Sequence, residues 1–583
     1  CRVERVRASG VGYGRSLYVR AHDGRLLVFG HLDAFAPALA AFVDSVQRAS
    51  GQYEQDLWPA LSRFAYAAGE TIAWTGESGA GPPHLHWEIR HGDFALSPLR
   101  AGASVADDGE PVIVSVTLEP LGPGSRVQRR ASPFTWRPGM SDTLLVEGEV
   151  RAIVRARSGM AGAGDVPAWS TAIEWSGWTA EARLDSISWA GEMAQLDWLV
   201  DRGRINGSRG MVLWAAPGAR PRFLRTNVPE GVSGLTLRAG LSRPVVVTAR
   251  DVNGRQSSRT LWLRSPRPGE AAADTVDRRA APARTPAGAP RWECFALPDT
   301  RLLRVRMSGA PAGLRGVRFA LDHDAARAHA ATWDGQAWSA IVPLPSLPFE
   351  LAIRATATGD KWSSRWRAMV WPAGADLLVQ HGALAGLSLP ADGVFEPGIV
   401  VTTEQPLAGA LARVLVQPGR LPLAKAAPVA LTLPSGAAPA GVGLYRRQPG
   451  GDWDFVRSTY DSTARALRGE TPSLGEFALL RDVTPPAVRL LAPARKAPGG
   501  AYPRWQLVAS VSDALSGIEA SKSHFLVDGR VVPSEWDPEE RQLRWRPARV
   551  PAPGRHTYEV RVTDRAGLRA SKRGTFVLDS APR

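Results

Sequence analysis

Three histidines near the start of the chain, His31, His84 and His86, are the residues whose type and spacing bear most directly on chemistry. Side chains of an extended strand alternate between faces with a period of two, so His84 and His86 point to one side while Leu85 and Trp87 point to the other. Two imidazoles then line one surface. Imidazole titrates near neutrality, which suits it to proton transfer and to binding a transition metal. A lone His-x-His says little in a chain with ten histidines. Here it arrives in order with Phe29-Gly30-His31-Leu32, with the turn at Gly14 ahead of its own strand, and with the glycine-punctuated approach from Gly69 through Gly76 and Gly81. Glu88 shares the face of His86; a carboxylate there either orients an imidazole by accepting its hydrogen bond or merely ends a strand in solvent.

The elements that must position these groups are short strands separated by glycine turns, expected at 2–6, 16–20, 26–29, 71–75 and 84–90. Segment 34–68 breaks that rhythm. After Pro37, the spacing of Ala38, Leu39, Phe42, Val43 and Val46 is that of a helix face, which predicts a helical insertion beside the histidines. Such an insertion forms one wall of a groove or covers an exposed sheet edge, the second being the more ordinary use.

Taken together, Phe29-Gly30-His31-Leu32 and His84-Leu85-His86-Trp87-Glu88 resemble the signature of the lysostaphin-type (LytM-like) zinc endopeptidases of peptidoglycan, over residues 1–103. The resemblance implies an antiparallel β fold of the duplicated-hybrid-motif kind. It makes His86 a zinc ligand, His31 and His84 the pair acting on the zinc-bound water and the tetrahedral intermediate, and peptidoglycan stem peptides the substrate. The chemistry is coherent: zinc brings the pKa of bound water toward neutrality and polarises the scissile carbonyl, and imidazoles shuttle protons at that pH. The departure matters as much. The family carries two further ligands in a His-x-x-x-Asp spacing ahead of the first strand, and no such pair lies between Cys1 and His31, where His22 is followed at once by Asp23. One ligand does not hold zinc. Either the sequence starts part-way through a longer gene, or the chain is a non-catalytic envelope protein that binds or regulates cell-wall hydrolases. Retention of all three histidines favours the former.

From residue 104 onward β-runs of five to eight residues alternate with turn signals, the pattern of β-sandwiches. The expected divisions are a sandwich at 104–265, a Pro/Ala/Arg-rich linker at 266–291, an immunoglobulin-like domain at 292–371, a β-domain at 372–481 meeting it near Pro372, and an immunoglobulin-like sandwich at 482–579. The whole chain is therefore expected to be mainly β, with about four sandwiches behind the first domain. Two strand-like runs end in the same turn, Asp251-Val252-Asn253-Gly254 and Asp564-Arg565-Ala566-Gly567; turn geometry accounts for both aspartates without calcium. Tryptophans such as Trp169, Trp175, Trp178, Trp189 and Trp198 are read as core, with stacking on sugar rings the alternative. His323 and His329 fit neither a helical i, i+4 pair nor a strand-like run. Ser78 lacks a Gly-x-Ser-x-Gly setting and is read as part of a flexible turn.

The net charge of +15 comes almost wholly from arginine in a chain also rich in alanine, glycine and proline, the bias of a GC-rich genome. Nucleic acid is not an expected partner, since no zinc finger, helix-turn-helix or RNA-binding pattern is present. Two cysteines, Cys1 and Cys294, support no disulfide framework, and Cys1 is a position at which lipidation is open. No apolar run is long enough to span a membrane. A periplasmic, envelope or extracellular location follows from the resemblance, with envelope proteins as partners of the β-domains.

Overall fold

The computed structural model describes residues 1–103, 109–159, 166–200, 210–216, 218–229, 232, 234–267, 270, 290–297, 301–311, 313–346, 349–358, 362–404, 406–419, 421–448, 450–491, 493–495 and 505–578. The chain is mainly β. The first unit is one antiparallel sheet built from β1 (Arg2–Ala8), β2 (Ser16–Arg20) and β3 (Leu26–Gly30), followed by β4 (Leu32–Phe35), α1 (Pro37–Ser50), β5 (Gln55–Leu57), β6 (Ala73–Thr75), β7 (His86–His91) and β8 (Phe94–Leu96). Its order is β5-β1-β2-β3-β7-β8, and Ser186–Ser188 of the next unit extends it beyond β8. Strands β4 and β6 pair separately.

Helix α1 starts at Pro37, where a missing N–H costs nothing, and stops at Gly51, which takes φ 69. It buries Leu39, Ala40 and Val43 against Val3, Val6, Leu17, Val19 and Phe35. A leucine or valine so enclosed contributes about 1.5–3 kcal/mol. The expected insertion is thus helical only over Pro37–Ser50; Gln55–Leu57 turns back and adds a strand to the β1 edge of the sheet. The strand expected at 84–90 begins at His86, and His84 touches the β-structure only through a bridge to Gly76.

Beyond the first unit, a seven-stranded and a five-stranded sheet face each other across Trp136, Val146, Ile173, Trp175 and Val247. Trp175 and Trp198 are core, whereas Trp169, Trp178 and Trp189 are half-buried. The boundary expected near Pro372 is crossed by a nine-stranded sheet running from Asp324–Ala330 to Trp453–Val456, in which Ser363–Ala373 is a single strand. A proline is tolerated there because Pro372 pairs on one side only, with Ile399; the neighbouring strand Phe349–Thr356 ends its pairing at Val370. His329, expected outside any strand, lies in the hairpin strand Asp324–Ala330. Of the linker expected at 266–291, residues 268–269 and 271–289 lie outside the described residues. The last unit, Ala487–Leu578, is a sandwich of a five- and a four-stranded sheet around Trp505, Phe525, Leu543 and Val560.

The last unit packs on the first. Arg15 Nη2 and Arg546 Nη2 both donate to Glu535 Oε2, at 2.9 and 3.0 Å, and Arg546 Nη1 donates to Asp33 Oδ1 at 2.8 Å. Gly10 lies so close to Trp536 that a Cβ would stand 1.8 Å from its carbonyl oxygen. Burial opposes charge on Glu535, yet Arg15, Arg546 and Arg544 outweigh it and hold the carboxyl far below its ordinary pKa.

Candidate active site

The register of β3 on β7 sets His86 opposite Gly30 and Glu88 opposite Val28. A Cβ at residue 30 would stand 3.2 Å from His86 Cβ and 3.4 Å from Tyr13 Cβ. Glycine therefore lets the Tyr13 ring stack on His86, with centroids 4.3 Å apart and planes at 29°. Directly after Gly30 the chain turns: His31 takes φ 57, a left-handed conformation that costs an ordinary side chain about 1–2 kcal/mol. Hydrogen bonds hold it there, from His31 N–H to Tyr13 O and from Leu32 N–H to Arg15 O, at 2.8 and 3.0 Å. The consequence is an imidazole swung off the strand and against the other two, with its centroid 4.3 Å from that of His84 and 5.8 Å from that of His86.

Each ring is anchored through one nitrogen, and the anchor fixes the tautomer. A carbonyl only accepts, so His31 Nδ1–H donates to Ser78 O at 2.8 Å and His84 Nδ1–H to Pro82 O at 2.6 Å. His86 Nε2–H donates to Glu88 Oε1 at 2.6 Å. In the neutral rings the lone pairs then sit on His31 Nε2, His84 Nε2 and His86 Nδ1. Burial lowers the His31 pKa first of all, and the neighbouring His84 and His86 lower it further against the opposing pull of Ser78 O. His31 is thus a neutral base at pH 7. Around Glu88, burial raises the carboxyl pKa, but hydrogen bonds from His86, Arg90 and Tyr13 prevail and bring it to about 2. Burial and Glu88 together keep the Tyr13 phenol protonated.

Sequence reasoning names His31, His84, His86 and Glu88, and the fold brings the four together. It does not reach four other participants. Ser78 is buried rather than part of a loose turn: its hydroxyl donates to Leu32 O and accepts from Arg15 N–H, at 2.7 and 2.9 Å, while its carbonyl holds His31. Tyr13 and Arg90 fix Glu88. Glu539, from the last unit, accepts from Gly81 N–H at 2.8 Å and lies in the electrostatic field of His31. Tyr13 alone carries a signal in sequence, since glycines on both sides mark a tight turn next to the Phe29-Gly30-His31 run.

Zinc requires three or four donors at about 2.0–2.3 Å from one point. Among the described residues, Asp482, Asp513 and Asp564 are the group of three possible ligands whose donor atoms come within 4.8 Å of one another; the three histidines do not form such a group. His86 moreover commits one nitrogen to Glu88. Among the described residues, the three histidines do not make a zinc site by themselves. What they provide is a group of three imidazoles beside a carboxylate whose pKa is held down to about 2.

No family model matches the chain, and no curated protein matches it. Solved structures that match include the extracellular domain of protocadherin γB4, at 15% identity over 58% of this chain and 56% of that one, with a TM-score of 0.13. A tetra-tandem repeat from the extending region of a large adhesion protein matches at 11% identity over 75% of this chain and 100% of that one, TM-score 0.13. A Ca2+-stabilized adhesin with which an Antarctic bacterium binds ice matches at 13% identity over 81% and 100%, TM-score 0.11. No helix of the described residues is long and apolar enough to cross a membrane.

Proposed function

We propose that residues 1–103 are the histidine half of a lysostaphin-type peptidoglycan endopeptidase site, and that the β-units behind it hold this site in the bacterial envelope. The observation that carries this reading is the convergence of His31, His84 and His86 with one lone-pair nitrogen left on each ring. In this role His31 and His84 take and return protons at a water and at the leaving amine of a stem-peptide cross-link. Glu88 orients His86 and is itself held by Tyr13 and Arg90. When bound, zinc would supply electrophilic activation of the peptide carbonyl; in this chain only His86 corresponds to a ligand, so the reading stands or falls with a His-x-x-x-Asp pair contributed by residues N-terminal to Cys1.

The test is to express the protein with its upstream coding sequence, measure zinc by mass spectrometry, and follow release of cross-linked muropeptides from purified sacculi. One zinc per chain and a release abolished by His84→Ala support the reading. An upstream sequence without the His-x-x-x-Asp pair, together with zinc-free protein, refutes it. The second reading, a non-catalytic envelope protein, is favoured by the last unit standing against the histidine loops through Glu539 and Gly81. It expects retention on sacculi, or capture of a cell-wall hydrolase, with no muropeptide release.

A further inference from the structure

The turn Asp564-Arg565-Ala566-Gly567 shares its grammar with Asp251-Val252-Asn253-Gly254, but the two aspartates end in different surroundings. Asp251 is fully used: Oδ1 accepts from Asn253 and Arg255 N–H, and Oδ2 accepts from Arg255 Nε at 2.6 Å. The residue four beyond Asp564 is Leu568, which offers its N–H to Oδ1 at 2.8 Å and no cation to the other oxygen. Oδ2 of Asp564 is left buried without a partner, in a residue only 1% exposed. Instead of an arginine it meets two more carboxylates, since donor oxygens of Asp482, Asp513 and Asp564 lie within 4.8 Å of one another.

Of the other four carboxylate oxygens, three accept backbone N–H groups. Asp482 accepts from Thr484 and Ser516 N–H at 3.1 and 3.0 Å, and Asp513 Oδ2 from Leu515 and Gly517 N–H at 2.9 and 2.8 Å. Asp513 Oδ1 is a second buried orphan. A third is the hydroxyl of Tyr445, a fully buried residue of the preceding unit that lies in the field of all three carboxylates. Three carboxylates this close together, those of Asp482 and Asp564 buried and that of Asp513 half-buried, repel one another, and orphaned buried oxygens add a further penalty. A cation removes both costs at once.

We propose that Asp482, Asp513 and Asp564 form a Ca2+ site in the joint between the nine-stranded sheet and the last sandwich. The donors are all oxygen, which selects a hard cation over zinc or copper. Oxygens bound at about 2.4 Å around one Ca2+ stand at most about 4.8 Å apart, the separation the three side chains already satisfy. Asp482 follows strand Glu476–Arg481, Asp513 follows Trp505–Ser512 and Asp564 follows Gly554–Thr563, so the ion ties the connecting segment to two loops of the last sandwich. That sandwich is the unit packed against the histidine loops, and the ion fixes its angle. Arg565, whose guanidinium reaches to Gly517, is the protein cation that would otherwise neutralise the group.

Calorimetric titration of the full chain, stripped with EDTA, with CaCl2 and separately with MgCl2 tests this, alongside thermal unfolding in both. One Ca2+ per chain is expected, with a Kd of about 10⁻⁴ M or tighter, weaker Mg2+ binding, and a Ca2+-dependent rise in Tm. Asp513→Asn keeps an oxygen for Leu515 and Gly517 and is expected to weaken Ca2+ binding at least about tenfold; Asp564→Asn is expected to abolish the Tm response. Absence of Ca2+ binding by the wild-type chain overturns the proposal, as does an undiminished Ca2+ response in Asp513→Asn. So does a Ca2+-indifferent chain that Arg565→Gln destabilises, since the arginine would then be the counter-ion.

Discussion

Replacing Glu535 by alanine removes the carboxylate shared by Arg15 of the first unit and Arg546 of the last. All three side chains are 3–6% exposed, and the contacts are 2.9 and 3.0 Å. Removing one member of a buried ionic group costs about 3–5 kcal/mol, because the partner charge stays behind without its counter-ion. At about 1.4 kcal/mol per tenfold, the equilibrium between docked and undocked units shifts by roughly 10²- to 10³-fold or more. Amide hydrogen exchange reads this directly: peptides covering 9–16 and 76–81 should lose protection by that factor, since Gly81 N–H is bonded to Glu539 and Arg15 N–H to Ser78 beneath the interface. The sign with pH is set by the depressed carboxyl. A group whose folded pKa lies below its ordinary value near ~4.3 stabilises above that value and ceases to do so as pH falls through the folded pKa. Acid below pH ~4 should therefore loosen the same peptides in wild type and have less left to loosen in the variant. If Glu535→Ala speeds exchange only within the last unit, leaving 9–16 and 76–81 protected, the buried pair does not hold this interface.

Three further outcomes test the site. Ser78→Ala strips a partner from both Arg15 N–H and Leu32 C=O and should cost about 1–3 kcal/mol in denaturant unfolding; a change within error means that the hydroxyl is not the pin between these loops. Gly79 sits at φ 83 with Gly12 O only 2.3 Å from a built Cβ, so Gly79→Ala should cost well over about 2 kcal/mol, whereas Gly24→Ala, at φ 84 in open space, should cost about 1 kcal/mol. Equal losses of Tm in the two variants would mean that the interlocked loops contribute nothing. In an NMR titration His31 should take up its proton below the usual imidazole pKa near ~6.5; because its folded value is lowered, its contribution weakens stability as pH falls below that range, and a His31 titrating at or above it contradicts the buried, crowded environment.

Strands β1, β2 and β3 and the start of α1 were legible because each rests on local rules: alternation, glycine turns and a proline at a helix start. The helix end was less so, since the stretch after Gly51 owes its strand to pairing with the β1 edge. The meeting point expected near Pro372 lies inside a strand, because proline's missing donor costs nothing where only one neighbouring strand pairs with it. His31, His84, His86 and Glu88 were legible by motif and period. Ser78, Glu535 and Glu539 were not, as nothing near them in sequence announces that a loop or a domain hundreds of residues away will meet them.

By itself, then, the sequence determined a β-rich chain and marked His31, His84, His86 and Glu88 as candidate partners, because alternation and residue type are local properties. Only the tertiary structure decided which nitrogen of each imidazole is engaged, that the His31 pKa is lowered by burial, and that Asp564 differs from Asp251. Each of these depends on what else occupies the space within a few ångströms. The neighbours that fill it, Ser78 for His31 and Asp482, Asp513 and Tyr445 for Asp564, come from segments the chain brings together only by folding.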